Sequence, residues 1–332
     1  MSSPSFRLTT PWLRLFNWSR YPGPQPSTQG LVYNLLTTGP GRSYGRRWAT
    51  TYLRHQFGHR ARQYDVANAQ RLFDPEGVAS RLPGMRTKRL ENYITAGPDY
   101  LWCLDGHDKL AQFGIEIYAA VDAYSRKIIW FYCGLSNRTQ LSVLNQYLQA
   151  VRARGLCPSF LRTDKGTETV MLADAHFSLY SEAYWREGQR LGWPEDSPLW
   201  TTLRIQDCYI YGPSTRNIRI EGLWNQQGFT QTKPWIKYFK LLALTGWYDQ
   251  NLVADRVVLL FIFMPIIRAE LHAFVDTHNA HPIRKQRNRD HHVAGAPNEL
   301  YRDPTRQCGF ALDYDTLNEW ESRVNPYGTS SY

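Results

Sequence analysis

Three acidic side chains stand where they could act together. Asp105 ends a short apolar run, Tyr100-Leu-Trp-Cys-Leu104, with the composition of a β-strand. Asp164 ends a second such run that begins at Phe160-Leu161, and Glu221 falls in the segment Thr215 to Gln227, which reads as a helix. The separations are 59 and 57 residues. Carboxylates brought to one point repel one another unless cations stand between them. Hard divalent ions such as Mg²⁺ prefer oxygen ligands and keep positions open for water and phosphate. Two such ions, ~3.5–4 Å apart, can activate an attacking water or 3′-hydroxyl and stabilise the leaving oxygen of a phosphodiester. The set therefore points to metal-dependent chemistry on nucleic-acid strands.

Taken singly, each residue has an ordinary explanation. Asp105 precedes Gly106 and Asp164 precedes Lys165-Gly166, as turn residues do, and a helical glutamate is usually solvated. What unites them is the order of elements. After the strand that ends at Asp105, Ile115–Val121 and Lys127–Cys133 read as two strands of a hairpin, turned at Asp122-Ala-Tyr-Ser-Arg126. Gln140–Arg154 carries Leu141, Leu144, Tyr147, Leu148 and Val151 at helical spacing and stops at Gly155. The strand into Asp164 follows, giving β, β, β, α, β. Residues 170–206 read as an insertion with one helix around Ser181–Leu191, then a strand at Asp207–Tyr211 and the Glu221 helix. Trp235–Tyr248 and Leu252–His278 read as further helices.

The first 45 residues are rich in Ser, Pro, Gly and Thr and read as an irregular leader with a short helix near Leu31. Residues 46–92 read as a basic helical segment: Arg46–Phe57 ends at Gly58, and a second helix stops at Asp74-Pro75. The pair can be read as a helix-turn-helix. Of the net charge of +10, all lies in residues 1–95, which hold 14 Lys and Arg against 4 Asp and Glu; the remainder balances. A localised basic excess suits a polyanion such as DNA. From residue 281 the chain reads as a basic, then irregular tail.

Five cysteines, an odd number with no C-x-x-C, argue against a disulfide framework. The strongest apolar run, Val257–Ile267, is shorter than the ~20 residues of a membrane span and reads as buried helix, with no membrane partner expected. No Gly-rich nucleotide loop or G-x-S-x-G elbow is present.

Residues 93–280 resemble the integrase core of retroviral-type integrases and DDE transposase relatives, of the kind found in fungal and animal genomes. The resemblance is carried by Gly97-Pro-Asp-Tyr-Leu-Trp-Cys-Leu-Asp-Gly-His-Asp-Lys-Leu110 and Ala120-Val-Asp-Ala-Tyr-Ser-Arg126. It continues in Arg162-Thr-Asp-Lys-Gly-Thr-Glu168 and Tyr211-Gly-Pro-Ser-Thr-Arg-Asn-Ile-Arg-Ile-Glu-Gly-Leu-Trp224. His281-Pro-Ile-Arg-Lys285 and Gly295-Ala-Pro-Asn-Glu-Leu-Tyr301 follow. It implies an α/β, ribonuclease-H-like mixed sheet flanked by helices, in which the first and fourth strands are neighbours.

It also implies that Asp105, Asp164 and Glu221 are the catalytic and metal-binding triad, with Mg²⁺ or Mn²⁺ as cofactor. DNA is then the partner, a homo-oligomer is expected because two DNA ends must be joined, and the nucleus is the expected location. Lys165, Asn217, Arg219, Arg284 and Lys285 are candidate DNA contacts; Asn217 could instead position Glu221 or cap its helix. His107 could donate to a phosphate. Asp122 is expected to stabilise its hairpin turn, and Glu168 to brace the loop after Asp164. His55 and His59 have the spacing of the retroviral zinc module, but no cysteine pair follows. Thr169 and Ile218 replace polar residues of related sequences, which leaves a second reading open: a catalytically silent, domesticated DNA- or chromatin-binding protein.

Overall fold

The computed structural model describes residues 27–37, 41, 44–80, 95–164, 166–194, 197–198, 202–212, 217–285, 293–302 and 307–325. Five strands form one mixed sheet: β1 (Leu101–His107), β2 (Glu116–Asp122), β3 (Ile128–Gly134), β5 (Phe160–Thr163) and β6 (Tyr209–Tyr211), in the order β3-β2-β1-β5-β6. The first three strands pair antiparallel, whereas β1–β5 and β5–β6 are parallel. This is the ribonuclease-H-like arrangement expected, with the first and fourth strands of the sheet side by side.

Alternation along the strands divides the interior into two cores. Leu101 and Cys103 of β1 face one side with Ile117, Ala119 and Val121, and Trp102 and Leu104 face the other with Tyr118 and Ala120. The first side is covered by α6 (Ile218–Gln227), α7 (Lys233–Leu244) and α8 (Val253–Ala280). The second is covered by α4 (Gln140–Arg154), α5 (Val170–Arg190) and α9 (Tyr314–Val324). Each fully buried Leu, Ile or Phe contributes roughly 1.5–3 kcal/mol to holding these layers on the sheet. Helix α4 spans the residues its apolar spacing predicts, and Gly155 closes it at φ 71, a left-handed cap that glycine adopts at no steric cost.

Before the sheet come α1 (Thr28–Thr37), α2 (Arg46–Phe57) and α3 (Gln63–Phe73). The leader thus contains the helix expected near Leu31, while residues 1–26 lie outside the described residues. The helix pair α2–α3 is no free-standing module. Leu31, Trp48, Leu53 and Val66 join the first core, and the Trp48 ring packs on Phe274 of α8 at 5.5 Å. Arg46, Arg47 and Arg54 remain exposed on α2.

Three expectations need correction. Helix α5 begins at Val170, not near Ser181, and buries Leu172, Ala173, Ala175, His176 and Leu179, so it is a structural layer. Its buried face is made of small and polar residues as much as large apolar ones, which hides the helical period. The C-terminal segment is also ordered into the domain: β7 (Phe310–Ala311) pairs with β4 (Leu156–Cys157), and α9 packs on α4 through Leu317 and Trp320. Finally, the apolar run Val257–Ile267 lies in one continuous helix through Pro265, and its first turns are exposed, with Val257, Val258, Phe261 and Ile262 facing outward.

Candidate active site

The parallel pairing of β1 and β5 aligns Leu101 with Phe160, Trp102 with Leu161 and Cys103 with Arg162. That offset of 59 is also the separation of Asp105 from Asp164. Continuing the register places the two carboxylates side by side at the carboxyl ends of neighbouring strands. Parity gives them a common face: Asp105 projects as Cys103 does, toward the core that α6 covers.

Helix α6 brings the third carboxylate. Its entry is pinned by Asn217, whose buried side-chain Nδ2 donates to the carbonyl of Leu104 at 2.9 Å, one residue from Asp105. One turn after Glu221, Trp224 donates its indole N–H to Asp105 Oδ2 at 2.9 Å. Residues three apart share a helix face, so the Trp224 contact turns Glu221 toward the strand ends as well. Asp105, Asp164 and Glu221 are each half-buried. Burial pushes the Asp105 carboxyl up to about 7, and the charges of Asp164 and Glu221 push in the same direction, against the stabilising hydrogen bonds of Trp224 and the Gly106 backbone. The three groups therefore share one electrostatic site.

Among the described residues, none of the three forms an ion pair. Nor, among the described residues, do any three His, Cys, Asp or Glu side chains converge closely enough to enclose a metal ion. The donor set fits a hard divalent cation in kind, being all carboxylate oxygen, and the Asp105 carboxyl is raised by burial first and then by its carboxylate neighbours.

The remaining expected residues divide clearly. Asn217 is buried, donates its side-chain N–H to β1 and makes no side-chain cap bond. His107 stacks on Trp224 at 4.9 Å between ring centres, and burial lowers it to about 4. It is held neutral near pH 7 with its ring against the tryptophan. Asp122 does hold its turn, accepting from the Ser125 N–H at 2.7 Å and Ser125 Oγ at 2.6 Å.

The Glu168 carboxylate lies over Gly166, where a β-carbon would be. Tyr118, buried on β2 opposite Gly106, holds its phenol well above the usual range through burial, then through Tyr209, Glu168, Asp105 and Asp164. Glu168 thus borders the acidic site. Arg219 is half-buried on α6 and, after burial itself, helps lower the guanidinium of Arg126 to about 10. Arg284 and Lys285 are exposed beyond α8, and Lys165 lies outside the described residues. Trp224 was not foreseen as a site residue, although its place three residues after Glu221 on the same helix was the signal.

The family model described as "Integrase core domain" matches residues 92–183 and 202–305, more than half of the 332 residues. The chain belongs to the integrase core domain family. The match passes over residues 184–201, within the interval where the sequence suggests an insertion. None of the curated proteins matches the chain. Among solved structures, a chain from the cryo-EM structure of the simian T-cell lymphotropic virus intasome in complex with PP2A regulatory subunit B56 gamma is similar. It shows 15% identity over 82% of this chain and 75% of that one, with a TM-score of 0.36, too low to bear on function.

Proposed function

We propose that this protein is a polynucleotidyl transferase of the integrase and transposase type, in which Asp105, Asp164 and Glu221 hold Mg²⁺ or Mn²⁺. The observation that carries the reading is the mutual placement of the three carboxylates, with Asp105 raised by burial and then by Asp164 and Glu221, and no protein cation paired with any of them among the described residues. When bound, the cations would supply activation of the attacking oxygen and stabilisation of the leaving one. In cleavage, a water oxygen forms the new P–O bond and the strand's 3′-oxygen departs as a hydroxyl. In strand transfer, that 3′-hydroxyl oxygen forms the bond and a 3′-oxygen of the target strand departs.

The chain's own contribution is to fix the ligands. Asn217 sets the helix that carries Glu221, Trp224 orients Asp105, and His107 backs the indole. Lys165, Arg219, Arg284 and Lys285 are proposed phosphate contacts, which fits their charge, and the nucleus is where such a substrate resides.

The second reading is a DNA-binding protein without catalysis. It is favoured by the lack of a preformed three-ligand cluster among the described residues. Plasmid DNA incubated with Mg²⁺ or Mn²⁺ separates the two. Wild type should nick and join, while Asp105→Asn and Glu221→Gln lose both activities; Asp108→Asn, altering an exposed group beside Arg138, should retain them. Folded wild type that binds DNA but is inert with either metal would replace the enzyme by the binder. Nicking without joining would make it a nuclease.

A further inference from the structure

On the side of the sheet away from α6, the strand that leads into Asp164 ends on a polar pair set in an apolar core. Thr163, the last residue of β5, is 1% exposed, and Tyr209 of the neighbouring β6 is 3% exposed. Leu161 and Tyr209 are register partners, and the Tyr209 hydroxyl reaches along β5 to lie 3.0 Å from Thr163 Oγ1. The Thr163 carbonyl accepts the Gly212 N–H at 3.2 Å, from just beyond β6. The Tyr209 ring packs on Tyr211 at 4.6 Å between centres and belongs to the second core, with Leu161, Leu172 and Leu179.

The chain beyond Asp164 returns to this pair. Thr169, one of the positions where the sequence departs from its relatives, is fully buried just before α5, and its hydroxyl donates to the Gly166 carbonyl at 2.9 Å. Burial pushes the Tyr209 phenol up, while the side chains of Thr163 and then Thr169 act against it as hydrogen-bonding neighbours. Three hydroxyls therefore gather behind the turn that begins at Asp164 and closes at Thr169. A buried hydroxyl is costly unless it finds a partner, whereas an apolar pair of the same shape in its place is nearly neutral. Stability alone does not call for hydroxyls at Thr163 and Tyr209.

We propose that Tyr209 is a positioning residue for Asp164: by bonding Thr163 on the far face of the sheet, it fixes where the next residue projects on the near face. Consecutive residues of a strand point to opposite faces. A Thr163 side chain anchored in the second core therefore commits Asp164 to the face on which Asp105 and α6 lie. Rotation of the backbone at Thr163 would carry the Asp164 carboxylate away from Asp105. Glu168, whose carboxylate stands over Gly166, lies within the turn that Thr169 closes, so the same hydroxyls hold the edge of the acidic site. The proposal rests on the metal reading above and adds the residue that aims the second ligand, as Trp224 orients the first.

The test is calorimetric titration of Mn²⁺ into the full chain, with melting curves and amide hydrogen exchange measured on the same samples. Tyr209→Phe removes only the hydroxyl, and Thr163→Val with Tyr209→Phe replaces the pair by apolar groups of like shape. Both variants should bind Mn²⁺ at least about tenfold more weakly than wild type. The double variant should nevertheless melt as wild type does, and in both variants the amides of Gly166 to Thr169 should exchange faster. Unchanged Mn²⁺ affinity in Tyr209→Phe would overturn the proposal. So would a double variant that regains wild-type affinity, or one whose melting temperature falls in step with its affinity, since either would make the pair ordinary core structure. A wild type that binds no Mn²⁺ would overturn the metal reading itself. The exchange rates would then decide the anchoring of the turn: upheld if Tyr209→Phe speeds them at constant melting temperature, overturned if it does not.

Discussion

At the start of β1, Asp99 and Asp122 are buried beside each other; at its far end, Asp105 shares a site with Asp164 and Glu221. Both ends concentrate carboxylates, and both use a tryptophan indole as donor: Trp102 to Asp99 and Trp224 to Asp105, each at 2.9 Å. Beyond that they diverge. Asp99 also accepts from Arg154 Nη2 at 3.0 Å, Gln307 Nε2 at 2.5 Å and the Tyr301 hydroxyl. Asp122 accepts from the Asp99 backbone and from Ser125. The first cluster is saturated with hydrogen bonds and ties together β1, the hairpin turn, α4 and the C-terminal segment; Arg154 is the counter-charge to Asp99, while burial and Asp99 push the Asp122 carboxyl up to about 6. It even holds Asp99 in a left-handed backbone conformation, φ 58, that is costly for most residues. The second cluster is given position but, among the described residues, no paired counter-charge. One set of carboxylates is bonded into the fold; the other is the one proposed to hold cations.

The largest expected effect lies at the saturated end. Asp99→Asn keeps side-chain volume and tolerance of positive φ but strands the Arg154 guanidinium without its carboxylate. It should cost about 3–5 kcal/mol in urea unfolding, as breaking an internal ion pair does. A loss under about 1 kcal/mol would erase the contrast.

The opposite sign is expected at the other end. The folded protein retains a proton on Asp105 up to about pH 7, whereas an unfolded aspartate releases it near 4. This residue's contribution to stability is therefore full below about pH 4 and is lost progressively as pH rises to about 7. Asp105→Asn should stabilise the protein at pH 8 by on the order of 1–3 kcal/mol, with the gain vanishing toward pH 4. Millimolar Mg²⁺ should raise the melting temperature of wild type at pH 8 and leave Asp105→Asn unmoved. A destabilised Asp105→Asn at pH 8 would mean that the carboxylate is structural after all.

Smaller again is the effect of Trp224→Phe, which keeps an aromatic face for His107 and removes the donor to Asp105. Divalent-ion affinity should fall about 10–100-fold, the usual range for a residue that orients a ligand, with little change in melting temperature. Unchanged affinity would reduce the indole to packing.

The sheet and the strand order that sets Asp105 beside Asp164 were legible because they follow from simple periodicities. Short apolar strand runs, the 15 residues of α4 ended by Gly155, and the acidic residues Asp105 and Asp164 toward the ends of two neighbouring strands are all readable in one sequence. The role of Asp99 was not legible: its partners Arg154, Tyr301 and Gln307 are 55, 202 and 208 residues away. The length of α5 was hidden by Ala173, Ala175 and His176 on its buried side. The exposure of α8 was missed because an apolar run carries no mark of what it packs against; Phe261 and Phe263 look alike in sequence, yet only Phe263 meets an aromatic cluster.

Direct titration of divalent cation into the protein tests the central claim without depending on a DNA substrate. Calorimetry with Mn²⁺ should show binding to wild type that weakens by at least about tenfold in Asp105→Asn and in Glu221→Gln, while Asp108→Asn binds as wild type does. A folded wild type that binds no Mn²⁺, or binding indifferent to both Asp105→Asn and Glu221→Gln, would contradict the assignment of Asp105, Asp164 and Glu221 as a metal site.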